Sequence, residues 1–137
     1  MLAPERRTRS DVIGALAIAL AVIVAVTVVW LRSDARGTTS VTAESPLPPL
    51  STSVLLPDIL KQTWESPSAD STAPITVGNA VVTADGTEVI GRDPATGEEV
   101  WRYARNIPLC GAIGSWDRVV SVYQDDRGCS QVTSLVA

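Results

Sequence analysis

Residues 75–101 read ITVGNAVVTADGTEVIGRDPATGEEVW, and the spacing of turn residues in this stretch decides the fold. Ile75, Thr76 and Val77 are all β-branched, which suits a short strand. Gly78-Asn79 breaks it. Residues 80–84 form the next apolar run. Asp85-Gly86 forms the next break, a two-residue hairpin signal, because a type I′ turn over these two residues needs a positive φ that Asp and Gly tolerate. Residues 87–92 form a third run. Asp93 to Gly97 make a longer turn, in which Asp93 can accept from backbone amides two or three residues on and Gly97 supplies the left-handed position. A fourth run, residues 98–103, carries Val100 and Trp101. Four short strands joined by tight turns predict one antiparallel sheet over about residues 73–104.

The pattern then restarts. Residues 75–83, ITVGNAVVT, match residues 113–121, IGSWDRVVS, at an offset of 38. The Ile, the Val-Val pair and the Thr/Ser position agree, and Asn79 stands opposite Asp117 in the turn. Trp64 and Trp101 are 37 apart, so an earlier unit ends where this one begins. A period near 40 with four strands per unit is the signature of propeller blades, small sheets whose two faces need neighbours. The fold class expected is therefore mainly β, with one four-stranded blade and an incomplete second one over about residues 109–137.

At this point the chain resembles a known family. Asp93-Pro94-Ala95-Thr96-Gly97-Glu98-Glu99-Val100-Trp101 looks like the D-x-x-T-G-x-x-x-W tail of the repeats in quinoprotein-like (PQQ-like) β-propellers, and Val82 to Gly86 fits the same repeat. The match spans about residues 64–137 and is specific for the repeat, not for an activity. In that family the tryptophan docks between neighbouring blades and the Asp-Thr-Gly turn locks the hairpin before it. The resemblance thus assigns structural roles to Asp93, Thr96, Gly97 and Trp101. There are two departures. Val136 stands where the repeat would place its second Asp, so the second unit lacks the turn, the fourth strand and the tryptophan. Moreover, propellers close with about four to eight blades, and fewer than two are encoded here. The resemblance is to the N-terminal portion of a longer propeller; a truncated product and a short protein that borrows strands from its own copies are the competing readings.

Cys110 and Cys129 are the two cysteines of the chain. They open the first and third strands of the second unit. Two strand spacings of about 9.5 Å exceed the reach of a bridge, but Cys129 follows the loop Asp125 to Gly128, and a loop residue can lean across. A disulfide is expected in an oxidising compartment. Asp125-Asp126 lacks the regular oxygen spacing of a calcium loop and reads as a solvated hairpin tip. Trp116 falls in a turn, where partial exposure is expected; packing on the linker is the preferred reading and a partner contact the competing one.

Upstream, residues 55–64, LLPDILKQTW, read either as a single helical turn opened by Pro57 and Asp58 or as an extended strand ending at Trp64, and the β region is expected over 58–137. Residues 32–57 are rich in Pro, Ser and Thr and show no period; they read as a disordered tether. Residues 12–31, VIGALAIALAVIVAVTVVWL, contain no formal charge. At about 1.5 Å per residue they span about 30 Å, the thickness of a bilayer's hydrocarbon core. Trp30 falls where an indole favours the headgroup level. Residues 1–11 form a basic tail with Arg6, Arg7 and Arg9, against Arg32 and Arg36 beyond the span. This bias predicts a cytoplasmic N-terminus and an extracytoplasmic C-terminal part. An uncleaved anchor is the preferred reading and a cleaved secretory signal the competing one. Both leave the β region outside the cytoplasm.

The net charge of −4 argues against a nucleic-acid partner. The chain has no histidine, which removes Ser-His-Asp and Cys-His sites. No catalytic residue, metal ligand or cofactor is assigned. The expected function is that of a non-catalytic binding or scaffold module at the membrane, with lipid as the partner of residues 12–31 and another protein chain at the open edge Val132–Leu135. The alternatives are a fragment of a quinoprotein-type dehydrogenase and a fragment with no function of its own.

Overall fold

A computed structural model gives the structure of residues 9–49, 59 and 61–136. Most of the expected basic tail, residues 50–57 of the tether and residue 58 lie outside the described residues. The chain divides into two compact units, Met1–Arg36 and Gly37–Ala137.

The first unit is built on helix α1, Arg9–Leu31. The apolar run supplies strong helix formers, and the helix satisfies its own backbone polar groups. Asp11 in the first turn complements the helix dipole. No side chain of α1 is buried, and the apolar residues Val12, Leu16, Ile23 and Val29 are all exposed. A helix apolar on every side needs an apolar medium. By length and composition α1 can cross a membrane. The Thr27 hydroxyl donates to the Ile23 carbonyl at 2.7 Å, so it carries no unmet hydrogen bond into that medium. Past the helix, the Arg36 guanidinium lies 4.3 Å from the Trp30 ring centroid.

The second unit holds two antiparallel sheets. The first has five strands: β1 (Thr38–Val41), β2 (Ile75–Val77), β3 (Ala80–Asp85), β4 (Glu88–Arg92) and β5 (Glu99–Arg105), in the order β1-β5-β4-β3-β2. The second has three: β6 (Leu109–Ser115), β7 (Arg118–Asp125) and β8 (Gly128–Val136), in the order β6-β7-β8. Strands β2 to β5 and β6 to β8 occupy the runs expected from the turn spacing.

Three details differ from expectation. Thr38–Val41, assigned to the disordered tether, forms β1 and pairs with β5 from Thr38↔Arg105 to Val41↔Arg102. Its residues are β-branched or small and polar, and without them the outer edge of β5 would be bare. Asn79 Nδ2 also donates to Leu47 O at 3.2 Å, so the stretch called a tether is attached at two places. The sheet is consequently five-stranded, not four-stranded. The second difference lies in the β3–β4 hairpin. Asp85 pairs with Glu88, so the loop residues are Gly86 and Thr87, with the positive φ of 65° on Gly86. Glycine at the first loop position is the type II′ arrangement. The third is Trp116, which is 98% exposed and has a φ of +56°. It stands where the matching hairpin has Gly78, whose φ is 59°.

The sheets share one core. Ile75, Val77, Val82, Ala84 and Val89 of the first meet Leu109, Ala112, Val119 and Tyr123 of the second, with Trp101, Tyr103 and Leu135 packed at the margin. A loop stitches the two sheets together. Asp70 N–H donates to Ala84 O at 3.0 Å, Ala112 N–H donates to Asp70 O at 2.9 Å, and Leu109 N–H donates to Gly86 O at 2.8 Å. The Asp70 carboxylate accepts from Gly86 N–H at 2.7 Å, and the Ser68 hydroxyl accepts from Ala84 N–H at 3.0 Å.

Tyr123 is fully buried. Its ring meets Tyr103 edge-on at 6.2 Å, and the Arg105 guanidinium lies 5.3 Å from its centroid. Its hydroxyl makes no well-formed hydrogen bond. Burial pushes the phenol up to about 12, against a smaller opposite pull from the Ser121 hydroxyl. In the unfolded chain a phenol ionises near pH 10. The folded value is the higher one, so this contribution to stability is intact below about pH 10 and is lost as pH rises towards 12. Thermal melts of the full chain in detergent, followed by near-UV circular dichroism, should fall in midpoint over that window. In Tyr123→Phe this part of the fall should vanish, and stability at neutral pH should be unchanged or higher, because an unpaired buried hydroxyl is gone.

Candidate interaction surface on the second sheet

The turn residues singled out in the sequence form a self-contained lock. Asp93 Oδ1 accepts from Ala95 N–H at 2.7 Å and from Thr96 N–H at 3.2 Å. The Thr96 hydroxyl accepts from Glu98 N–H at 3.2 Å, and Gly97 N–H donates to Asp93 O at 2.8 Å. Gly97 has a φ of 77°, a value that favours glycine. Arg92 donates to Gly97 O at 3.1 Å. Trp64 lies against Gly97, and its indole N–H donates to Pro94 O at 2.9 Å. Trp101 is placed elsewhere. Its indole rests on Gly91 of the neighbouring strand, on the side facing the shared core. The turn therefore spends its polar groups on its own backbone and on the Trp64 indole. The sequence spacing of 37 between the two tryptophans carried no signal for which of them would meet the turn.

Cys110 and Cys129 are joined, with S–S at 2.09 Å and Cα–Cα at 6.0 Å. The separation is shorter than two flat strand spacings because both cysteines sit at irregularities. Pairing skips Cys110 between Leu109↔Tyr123 and Gly111↔Val122. It skips Ser130 between Tyr123↔Gln131 and Gln124↔Cys129. A bulge bends and twists its strand, and these two bend β6 and β8 towards each other at the same end of β7. Nearby, the Asp125 carboxylate is held down to about 2 by Ser130 and Gln131, and then by the Arg127 N–H. Its partners include Gln131 Nε2 at 3.0 Å and Arg127 N–H at 2.8 Å. Asp125 thus closes its own hairpin. Among the described residues no three His, Cys, Asp or Glu side chains gather as metal ligands would.

The sequence reading missed the face beside the disulfide. Ile113 pairs with Val120 across β6 and β7, and Val122 pairs with Val132 across β7 and β8. These side chains point away from the shared core. Ile113 is 56% exposed, Val132 67% and Val136 66%. A groove of about 310 Å³ runs along this face, lined by Asp70, Ser71, Cys110, Ile113, Val120 and Val122. Such a surface can bury an apolar partner; the Asp70 carboxylate at its rim accepts from Gly86 N–H at 2.7 Å. The signal was present in the repeat, since Ile113, Val120 and Val132 match Ile75, Val82 and Val89, which are buried in the first sheet.

Two measurements probe these elements. Closing a loop of about 20 residues stabilises by roughly 3 kcal/mol in the chain-entropy treatment, so Cys110→Ser with Cys129→Ser should lower the urea midpoint and abolish its sensitivity to reductant. Gly97→Val should destabilise through its positive φ and its collision with Trp64. Trp101→Ala should cost near the lower end of ~3–5 kcal/mol, because the ring is only partly buried. Unchanged melts for both would contradict the packing described.

Compared with protein-family models, with curated proteins and with solved structures, the chain finds no match.

Proposed function

We propose that this chain is a single-pass membrane protein whose β unit stands outside the cytoplasm as a non-catalytic binding or scaffold module built from propeller-type repeats. The observation that carries the reading is the pairing of two features in one chain. One is a helix apolar on every side with nothing buried. The other is a β unit closed by an exposed disulfide, a bond that persists in oxidising compartments and is rare in the cytosol. The arginines before the span favour a cytoplasmic N-terminus. Support for the repeat comes from hairpin geometry. Ile75↔Val82 and Val77↔Ala80 in the first sheet correspond, 38 residues on, to Ile113↔Val120 and Ser115↔Arg118 in the second. The absence of histidine from the sequence and the exposed valine face favour binding over catalysis.

A reporter that is active only in the cytoplasm, fused after Ala137, should be silent, and the same reporter fused before Met1 should be active. The reverse pattern would invert the orientation. Activity of both fusions would remove the membrane span.

A further inference from the structure

Strand edges of the β unit are managed unevenly. The β5 edge is covered by β1. The β6 edge is covered by the 68–72 loop, through a parallel bridge from Ser71 to Ala112 and the hydrogen bond from Ala112 N–H to Asp70 O. The β2 edge is three residues long and follows Pro74. The new edge made by β1 is four residues long. β8 differs from all of these. It runs for nine residues, GCSQVTSLV, it ends the sheet order, and no other described strand lies beyond it. It contains no charged residue and no proline, the devices that keep an edge from pairing.

From this edge we propose that β8 pairs antiparallel with β8 of a second copy, joining two three-stranded sheets into one six-stranded sheet about a twofold axis at Ser134. The sequence around Ser134 points to a second copy as the occupant. Val132-Thr133-Ser134-Leu135-Val136 is symmetric at its ends and centre, with valine at both ends and a central serine, and differs only at Thr133 against Leu135. Antiparallel pairing centred there sets Val132 against Val136 of the other copy, twice, on the exposed face. It sets Thr133 against Leu135, twice, on the core side. Cross-strand pairs of this kind are the stabilising unit of a sheet, and an isologous twofold contact is the commonest way for identical chains to meet. The strand carries no charge that would repel its own image. A short edge contact is weak between freely diffusing molecules. Here the proposal rests on the membrane-anchored reading above: a single span confines every copy to one surface in one orientation and raises the effective concentration.

The test uses the full chain in liposomes, with donor and acceptor fluorophores at the N-terminus, read as energy transfer against protein-to-lipid ratio. The wild-type chain should show saturable transfer. Val132→Lys with Val136→Lys places ammonium groups directly opposite one another at both ends of the contact, and should weaken association about tenfold or more. Val132→Lys with Val136→Glu places opposite charges face to face between copies and should restore it. Within one chain residues 132 and 136 are too far apart along the strand to pair with each other, and both are solvent-exposed; residue 136 does stand opposite Arg118 of β7, so the Val136→Lys and Val136→Glu single variants are measured alongside to separate that intrachain contact from the one between copies. A second readout keeps the outcome independent of association strength. Ser134→Cys should be cross-linked between copies by mild oxidation, and Ser115→Cys, at the far hairpin, should not. No transfer in the wild-type chain, transfer insensitive to the Lys pair, no rescue by the Lys/Glu pair, or equal cross-linking at both positions would each overturn the proposal. The orientation reporters do not depend on any of these outcomes, so the two readings can fail separately.

Discussion

Burial of Tyr123 between the two sheets is the contact on which the β unit depends. A three-stranded sheet is stable in water when it buries an apolar face. Tyr123 supplies the largest fully buried side chain and touches the first sheet through Tyr103 and Arg105. The geometry favours it twice, since the tilted ring contact and the guanidinium over the ring both add to simple area burial. It also has a cost. Tyr123 Oη and Arg105 Nε, both without a hydrogen-bond partner, belong to this same stack. Apolar contact therefore outweighs polar satisfaction at the centre of the unit. The polar accounting is kept at the rim by the Ser68–Asp70 loop, which bonds to both sheets.

That loop explains how two sheets from consecutive stretches of chain hold a fixed relation. Side-chain packing alone is non-directional. Asp70 donates to Ala84 O and accepts from Gly86 N–H and Ala112 N–H; these hydrogen bonds have a direction, and together they fix where β3 lies against β6. The disulfide adds a third tie, within the second sheet, where the two bulges would otherwise leave β6 and β8 free to splay. The most irregular part of the second sheet is thus the part that is covalently closed.

Much of this was legible because turns are local. Gly78, Gly86, Gly97 and Gly128 all carry positive φ, and each marks a strand boundary that can be read from the residue type. The Asp93–Gly97 lock was legible for the same reason, since its bonds close within five residues. What was not legible depends on contacts distant in sequence. β1 has no pattern of its own and exists because β5 offers an edge. The placement of Trp64 on Gly97, and of Trp101 on Gly91, depends on which stretch of chain lies above which strand. The bridge between Cys110 and Cys129 was half legible: compartment argued for it, and flat strand spacing argued against it until the bulges were seen. Tyr123 was invisible to the repeat, because the position 38 residues earlier holds Asp85.

The repeat nevertheless shows why the second sheet is unfinished in its surroundings. Matching positions have opposite fates: Ile75 is 4% exposed and Ile113 56%, Val89 0% and Val132 67%. The side chains are alike, so the difference lies in what covers them. In the first sheet this face lies on the second sheet; in the second sheet the same face meets solvent among the described residues. A monomer gains nothing from valines at such positions, since exposed surface favours polar residues and a contiguous apolar face invites association. Trp116 points the same way. A tryptophan held at positive φ, where the matching hairpin has glycine, costs about 1–2 kcal/mol of backbone strain, and at 98% exposure burial among the described residues does not offset it. Exposed valine face, nine-residue uncharged edge and strained exposed indole occupy one sheet, whereas the edges of the first sheet are only three and four residues long.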